Sequence, residues 1–364
     1  MVNLLVQQLL HVTIDLFVDY HFITNMSEVT KIEEPLSATI ARHYDNGENN
    51  LSARNASRIL YLRNFNNWVK STLIQKAVTM LRDSRIHDGK LHVLDLACGK
   101  GGDLNKWRNA SYMEHLVAVD ISPGSISNCH TRYEEMKKRN KYLFDAQFIV
   151  ADCTRVNINT LFKDSSMKLH LVSCQFAFHY CFESIQQAEC MLKNVTENLV
   201  SGGIFIGTIP NAREIVRRQK ECGKKQFGNN IYNIEFMCDI DKPFPIFGAK
   251  YNFHLEGVVD CPEFLVYFPV LEKLAKSYGL ELKMKMTFAE YFKEQSSLDI
   301  NFLSRLTALE FYPPRKETEL MGMEDDYDKA KQFLKENKQD SVGTLSTSEW
   351  EVATLYMVFM FQKI

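Results

Sequence analysis

The chain has 364 residues, a formal net charge of −2 and 45% hydrophobic residues. Those values exclude global disorder and a wholly basic nucleic-acid binder, so any polyanion site must be a local patch. Nine cysteines without CxxC pairs argue for reduced thiols and against a zinc site or a disulfide framework.

Met1 to Phe22 is rich in Leu, Val and Ile, contains no Lys or Arg, and carries Asp15 and Asp19. It is a poor signal peptide and a poor membrane span. We read residues 1–35 as an N-terminal extension. Residues 36–90 read as helical, with Asn55–Leu81 the most continuous stretch. From 91 to 220 strands alternate with helices: Leu91–Ala97, His115–Asp120, Ala146–Ala151, Leu169–Gln175 and Gly203–Thr208, with helices at Ser125–Asn140 and Glu183–Leu199. Ser201-Gly202-Gly203 is expected to turn the chain into the fifth strand. Such alternation predicts a parallel, doubly wound α/β sheet. Residues 221–265 break the pattern with Gly, Pro, Asn and short runs such as Tyr251–Val259, and are read as an inserted lobe. The remainder, 266–364, completes the same domain: a helix over Phe264–Tyr278, a strand over Leu280–Met286, a polar surface segment between Pro313 and Gly343, and a last strand over Ala353–Phe361.

The most informative stretch is Val93-Leu94-Asp95-Leu96-Ala97-Cys98-Gly99-Lys100-Gly101-Gly102-Asp103. An apolar strand opens into a glycine-rich turn and then a helix, placing backbone N–H groups close to a ligand at the strand end. The next strand ends in Asp120, where a carboxylate can accept from two ribose hydroxyls. The loop is not a P-loop, because Gly101 follows Lys100 where a hydroxyl is needed. It also lacks the first glycine of GxGxxG, and Asp95 would repel a pyrophosphate. A sulfonium with an amino-acid tail suits an acidic strand end better, which favours S-adenosylmethionine (SAM) over a dinucleotide; a tight turn without ligand stays open. Asp152 ends the third strand and can accept from an adenine amino group or simply close a turn. Gln175 ends the fourth, followed by His179 and Tyr180 beside the switch point, where reacting groups gather.

Several stretches together resemble the eukaryotic mRNA cap guanine-N7 methyltransferases. They are Tyr61-Leu62-Arg63-Asn64-Phe65-Asn66-Asn67-Trp68-Val69-Lys70, the glycine loop, Ser173-Cys174-Gln175-Phe176 with His179-Tyr180, Gly207-Thr208-Ile209-Pro210-Asn211, Leu255–Asp260 leading to Pro262-Glu263-Phe264-Leu265-Val266-Tyr267-Phe268, and Gly343–Ser346 with Glu349-Trp350-Glu351. The resemblance implies a class I SAM-dependent methyltransferase, Rossmann-like, with a seven-stranded, mostly parallel sheet and an inserted cap-binding lobe. It implies SAM binding by Lys70, Ala97, Gly99, Asp120, Asp152, Gln175 and Tyr180. The cap side would comprise Asn66, Asn67, Lys100, Lys106, Arg132, His179, Glu263 and Tyr356, with no metal. His179, Tyr180 and Glu263 would position the reactants, without acid or base chemistry. The resemblance also implies capped mRNA as partner, a nuclear setting, and an activating subunit or the capping machinery as further partners. The family commonly has Gly where this chain has Ala97; we expect that position to keep negative φ, so that alanine costs nothing.

Overall fold

The computed structural model describes residues 36–46, 57–86, 89–315 and 318–364; the expected extension over 1–35 lies outside them. The strands are β1 (Leu91–Leu96), β2 (Met113–Asp120), β3 (Asp145–Val150), β4 (Leu169–Gln175), β5 (Leu199–Pro210), β6 (Gln226–Gly228), β7 (Tyr232–Phe236), β8 (Lys250–Leu255), β9 (Val259–Phe264), β10 (Leu280–Thr287), β11 (Glu310–Tyr312), β12 (Val342–Thr344) and β13 (Tyr356–Lys363). The helices are α1 (Leu36–Asn46), α2 (Leu60–Ser84), α3 (Leu104–Asn109), α4 (Pro123–Arg139), α5 (Ile185–Thr196), α6 (Ala212–Cys222), α7 (Phe268–Ser277), α8 (Phe288–Leu298), α9 (Ile300–Arg305), α10 (Asp328–Asn337) and α11 (Thr347–Ala353).

A seven-stranded sheet in the order β10-β13-β5-β4-β1-β2-β3 forms the centre. β13 runs antiparallel to both its neighbours, while β1 to β5 pair in parallel. The alternation of side chains along each strand feeds two cores. Val93, Leu116, Ile206 and Val358 pack on one face with Leu62, Phe65, Trp68 and Leu73 of α2. Leu94, Val117, Phe205 and Phe359 pack on the other with Leu192 of α5 and Leu271 of α7. A sheet apolar on both faces must be covered on both faces, which is why its strands read as near-continuous apolar runs. Burying such side chains is worth roughly 1.5–3 kcal/mol each. Successive strands leave β1 in opposite directions, β2 to one side and β4 to the other, so a crevice opens at their carboxyl ends.

The lobe expected over 221–265 is a four-stranded antiparallel sheet, β6-β7-β8-β9. Four boundaries differ from the sequence reading. Tyr251–Val259 is not one run: β8 stops at Leu255 and a turn with Gly257 at φ 63 reverses the chain into β9. Phe264 ends β9 rather than starting a helix, and α7 begins at Phe268 beside a proline in its first turn. Ser201-Gly202-Gly203 lies inside β5 instead of preceding it; Gly202, at φ 79, accommodates the slip in pairing with β4. Ala353 ends α11, a short helix fixed by a Ser346–Glu349 capping box, and β13 starts only at Tyr356. No helix among the described residues is long and apolar enough to cross a membrane.

Candidate active site

The glycine loop follows β1 at the crevice. Gly99 and Gly101 have φ of 54 and 74, and a Cβ at Gly101 would meet Leu104 Cδ1 at 2.7 Å and Cys129 Sγ at 2.8 Å. Only glycine fits there. Ala97 corrects the sequence reading: its φ is 55, in the left-handed region, so alanine is strained where glycine would not be.

The loop is tied to β2 through Asp120. Gly99 N–H donates to Asp120 Oδ2 at 2.8 Å and Ser122 N–H to Oδ1 at 2.9 Å. Burial raises the Asp120 carboxyl above its usual range, and these backbone donors counter that rise. Each oxygen keeps a further lone pair for a ligand hydroxyl. Asp152 does close a turn, accepting from Thr154 N at 2.9 Å and Thr154 Oγ1 at 2.7 Å, both at Oδ1. Its Oδ2 is buried without a hydrogen bond and lies 3.5 Å from Arg155 Nε, so the turn is made by one oxygen and the other faces a guanidinium. Ala97, Asp152, Ala177 and Tyr180 line a cleft with about 540 Å³ of free space, partly open to solvent. Gln175 donates to Ser173 Oγ at 3.0 Å, leaving its buried Oε1 without a hydrogen bond. The Gln175 Oε1 acceptor at the end of β4 and the Asp120 carboxylate at the end of β2 suit the ammonium and the ribose of an adenosine ligand.

Lys70 comes from α2 and Lys106 from α3, and both reach Asp103 Oδ1 at 2.7 Å. Asp103 stands at the N-cap position of α3 without capping it, because its carboxylate is turned to the lysines. Burial pushes the Asp103 carboxyl up, but the two ammonium groups outweigh it and hold it at about 2. Asp95, buried below, is pushed up to about 7 by burial and then by the Asp103 charge, against a hydrogen bond from Trp107 Nε1 at 3.0 Å. Burial lowers Lys106. Lys106 Nζ also donates to Asn67 Oδ1 at 3.2 Å, and Arg132 donates to the Lys100 carbonyl at 2.9 Å. Neighbouring Asn66 has a buried Oδ1 with no hydrogen bond.

The lobe supplies the other wall. Glu263 faces Tyr251 across the β8–β9 ladder, and Tyr251 OH donates to Glu263 Oε2 at 2.7 Å. His179 Nε2 lies 3.3 Å from Glu263 Oε1; neither ring nitrogen makes a well-aligned hydrogen bond, although the ring is 1% exposed. Glu263 sits within a strand, not at the start of α7, so it is no helix cap. The His179 and Tyr180 rings lie 4.3 Å apart, and Tyr180 OH meets Cys261 Sγ of β9 at 3.3 Å. Tyr180 therefore belongs to both the cleft and the lobe wall. Tyr356 opens β13 and packs on Phe176 and Phe288. The expected site residues are thus carried by the strand ends, the glycine loop, α2 and the lobe, with Lys106 on α3, Arg132 on α4 and Tyr356 at the start of β13. The sequence reading missed Tyr251 and the role of Asp103. Asp103 was visible at the end of the loop motif, whereas nothing local marks Tyr251.

The whole region from residue 27 to 364 matches the family model described as the mRNA (guanine-N(7))-methyltransferase domain. The chain belongs to that family. This methyltransferase is 46% identical over 332 residues to the mRNA cap guanine-N(7) methyltransferase of Drosophila melanogaster, covering 89% of this chain and 76% of that one. It is 39% identical over 340 residues to the enzyme of the same name from Caenorhabditis elegans, covering 90% and 87%. Among solved structures, a S-adenosylmethionine-dependent methyltransferase from Clostridium acetobutylicum aligns over 79% of this chain and 91% of its own, with 14% identity and a TM-score of 0.41. The family match and the seven-stranded sheet make this cap methyltransferase a SAM-dependent enzyme of the class I fold, with capped RNA as its substrate.

Proposed function

We propose that the enzyme methylates N7 of the cap guanine by alignment alone, with Glu263 as the residue that selects and orients the base. The observation that carries this reading is a buried carboxylate, 4% exposed, at the lobe wall, with Oε2 held by Tyr251 and Oε1 3.3 Å from His179 Nε2. Guanine presents donors at N1–H and its amino group, and the two oxygens of a carboxylate can accept both. His179 can donate to guanine O6. Asn66, Asn67 and Tyr356 line the base, while Lys100, Lys106 and Arg132 face the triphosphate bridge.

SAM, when bound, supplies a methyl group on a sulfonium, already activated for in-line displacement. Asp120 would hold its ribose, Asp152 Oδ2 its adenine amino group, and Gln175 and Tyr180 its methionine end. Ala97 and Gly99 shape the loop beside it. Lys70 would reach the methionine carboxylate from its place on Asp103. Guanine N7 carries a lone pair and no proton, so the protein needs no general base. Holding both reactants in line contributes on the order of 7–11 kcal/mol. A pH–rate profile of kcat demanding one essential base would sink this mechanism. A nuclear setting and an activating subunit belong to the same reading, and depend on cell fractionation and co-purification for support.

Labelled SAM and RNA carrying an unmethylated GpppG end, followed by mass spectrometry of the released cap, test the reading. Methyl on N7, lost in Glu263→Ala while SAM still binds, is expected. Full activity in that variant would overturn the role of Glu263.

A further inference from the structure

A groove runs away from the site along α3 and α4. It starts at Asn67 and Gly102, beside Lys106, and continues between Arg108 of α3 and Arg132 and Arg139 of α4. Positions 132, 135 and 139 recur at helical spacing and share one face of α4, so Arg132, Glu135 and Arg139 all line it. Three guanidinium groups stand against one carboxylate, in a protein whose net charge is −2. The excess is therefore local. Arg108 and Arg139 are exposed, and among the described residues no salt bridge or hydrogen bond occupies either guanidinium. Asn105 and Asn140 add amide donors and acceptors, with only Leu104 and Met136 as apolar wall.

We propose that this groove holds the backbone phosphates of the transcript beyond the cap, with Arg108 and Arg139 as the contacts. The proposal rests on the reading above, in which Lys106 and Arg132 meet the triphosphate bridge. Two details tie the groove to that bridge. Asn67 accepts from Lys106 at 3.2 Å and also lines the groove mouth. Arg132 donates to the Lys100 carbonyl at 2.9 Å and stands in the groove wall. A single strand leaving the bridge thus meets guanidinium forks, which match phosphate oxygens in pairs, with amides beside them for sugar hydroxyls. Among the described residues no aromatic side chain lines the groove, so the described lining offers no stacking platform and its contacts read backbone, not sequence.

The test compares the GpppG dinucleotide with a capped single strand of about ten nucleotides, using the full chain and Arg108→Ala/Arg139→Ala. Neither residue belongs to the cap or SAM set, and both are exposed, so dinucleotide turnover should be unchanged. The wild type should show a higher kcat/KM on the longer RNA. The double variant should lose that advantage by roughly two- to thirtyfold, the range of two exposed charge pairs. Its slope of log kcat/KM against log salt on the longer RNA should be shallower by about 1.4. Arg108→Lys/Arg139→Lys should restore part of both. An advantage untouched by the double alanine variant, or no advantage in the wild type, overturns the groove and leaves its charge to an acidic protein partner. Anisotropy of a labelled uncapped strand separates this outcome from failure of the cap reading. Binding weakened by the double variant supports the groove even if dinucleotide turnover fails, and unchanged binding refutes it.

Discussion

Asp103→Asn removes the one carboxylate that Lys70 and Lys106 share while keeping its volume. The lysine side chains are 15% and 12% exposed, and Asp103 is 8% exposed. Removing one partner of a buried pair costs about 3–5 kcal/mol because the other charge stays behind unpaired. The titration route gives a similar figure. An aspartate held at about 2 instead of the usual ~3.9 stabilises the fold by about 2.6 kcal/mol at neutral pH. Burial opposes that lowering and the two ammonium groups produce it. We therefore expect a loss of about 3 kcal/mol, read as the difference in urea unfolding free energy at pH 7. A depressed carboxylate gives stability that is present above about pH 4 and is lost as pH falls through about 2. The gap between wild type and variant should accordingly narrow below about pH 4, and narrow again toward pH 7, because without the Asp103 charge Asp95 is raised less and ionises at lower cost. Asp103→Asn/Lys106→Met should be more stable than Asp103→Asn alone, because only one uncompensated ammonium remains. A variant within about 0.5 kcal/mol of wild type at pH 7, or a gap that does not narrow in acid, refutes the clamp.

Ala97→Gly should stabilise the fold: relief of a left-handed alanine is worth about 1–2 kcal/mol, against about 0.4–1 kcal/mol for the freer unfolded chain. A lower melting temperature would contradict the strain. Asp95 is raised to about 7 by burial and then by Asp103. Its stabilising contribution is therefore full below about pH 4 and lost as pH rises through about 7. Asp95→Asn, which keeps an acceptor for Trp107, should raise the melting temperature more at pH 8.5 than at pH 6; equal effects at both would count against a titrating Asp95. Tyr251→Phe removes a buried donor to Glu263 and leaves its Oε2 unsatisfied, at a cost of about 1–3 kcal/mol. KM for the cap should rise while SAM affinity, measured by calorimetry, stays put; a matching loss of SAM affinity would mean general damage to the site.

The sequence alone determined the sheet, the crevice and the strand ends on which the proposed SAM half of the site is drawn. Strands apolar on both faces carry their own signal, and the loop from Ala97 to Asp103 is local, so its chemistry is contiguous in the chain. Asp120, Asp152 and Gln175 were legible for the same reason: each ends a strand that the alternation locates. The resemblance, carried by separate short stretches, added the cap side. Only the tertiary structure decided what those side chains touch. Lys70 and Lys106 lie on different helices, and no spacing tells that they meet on Asp103. Tyr251 faces Glu263 because of a pairing register in β8 and β9, and a turn at Gly257 sets that register. The left-handed φ of Ala97 is fixed by the glycine loop's path over β1, against alanine's own preference. Local periodicity fixes elements and strand ends, whereas partners and backbone strain depend on long-range packing, which one stretch of chain does not contain.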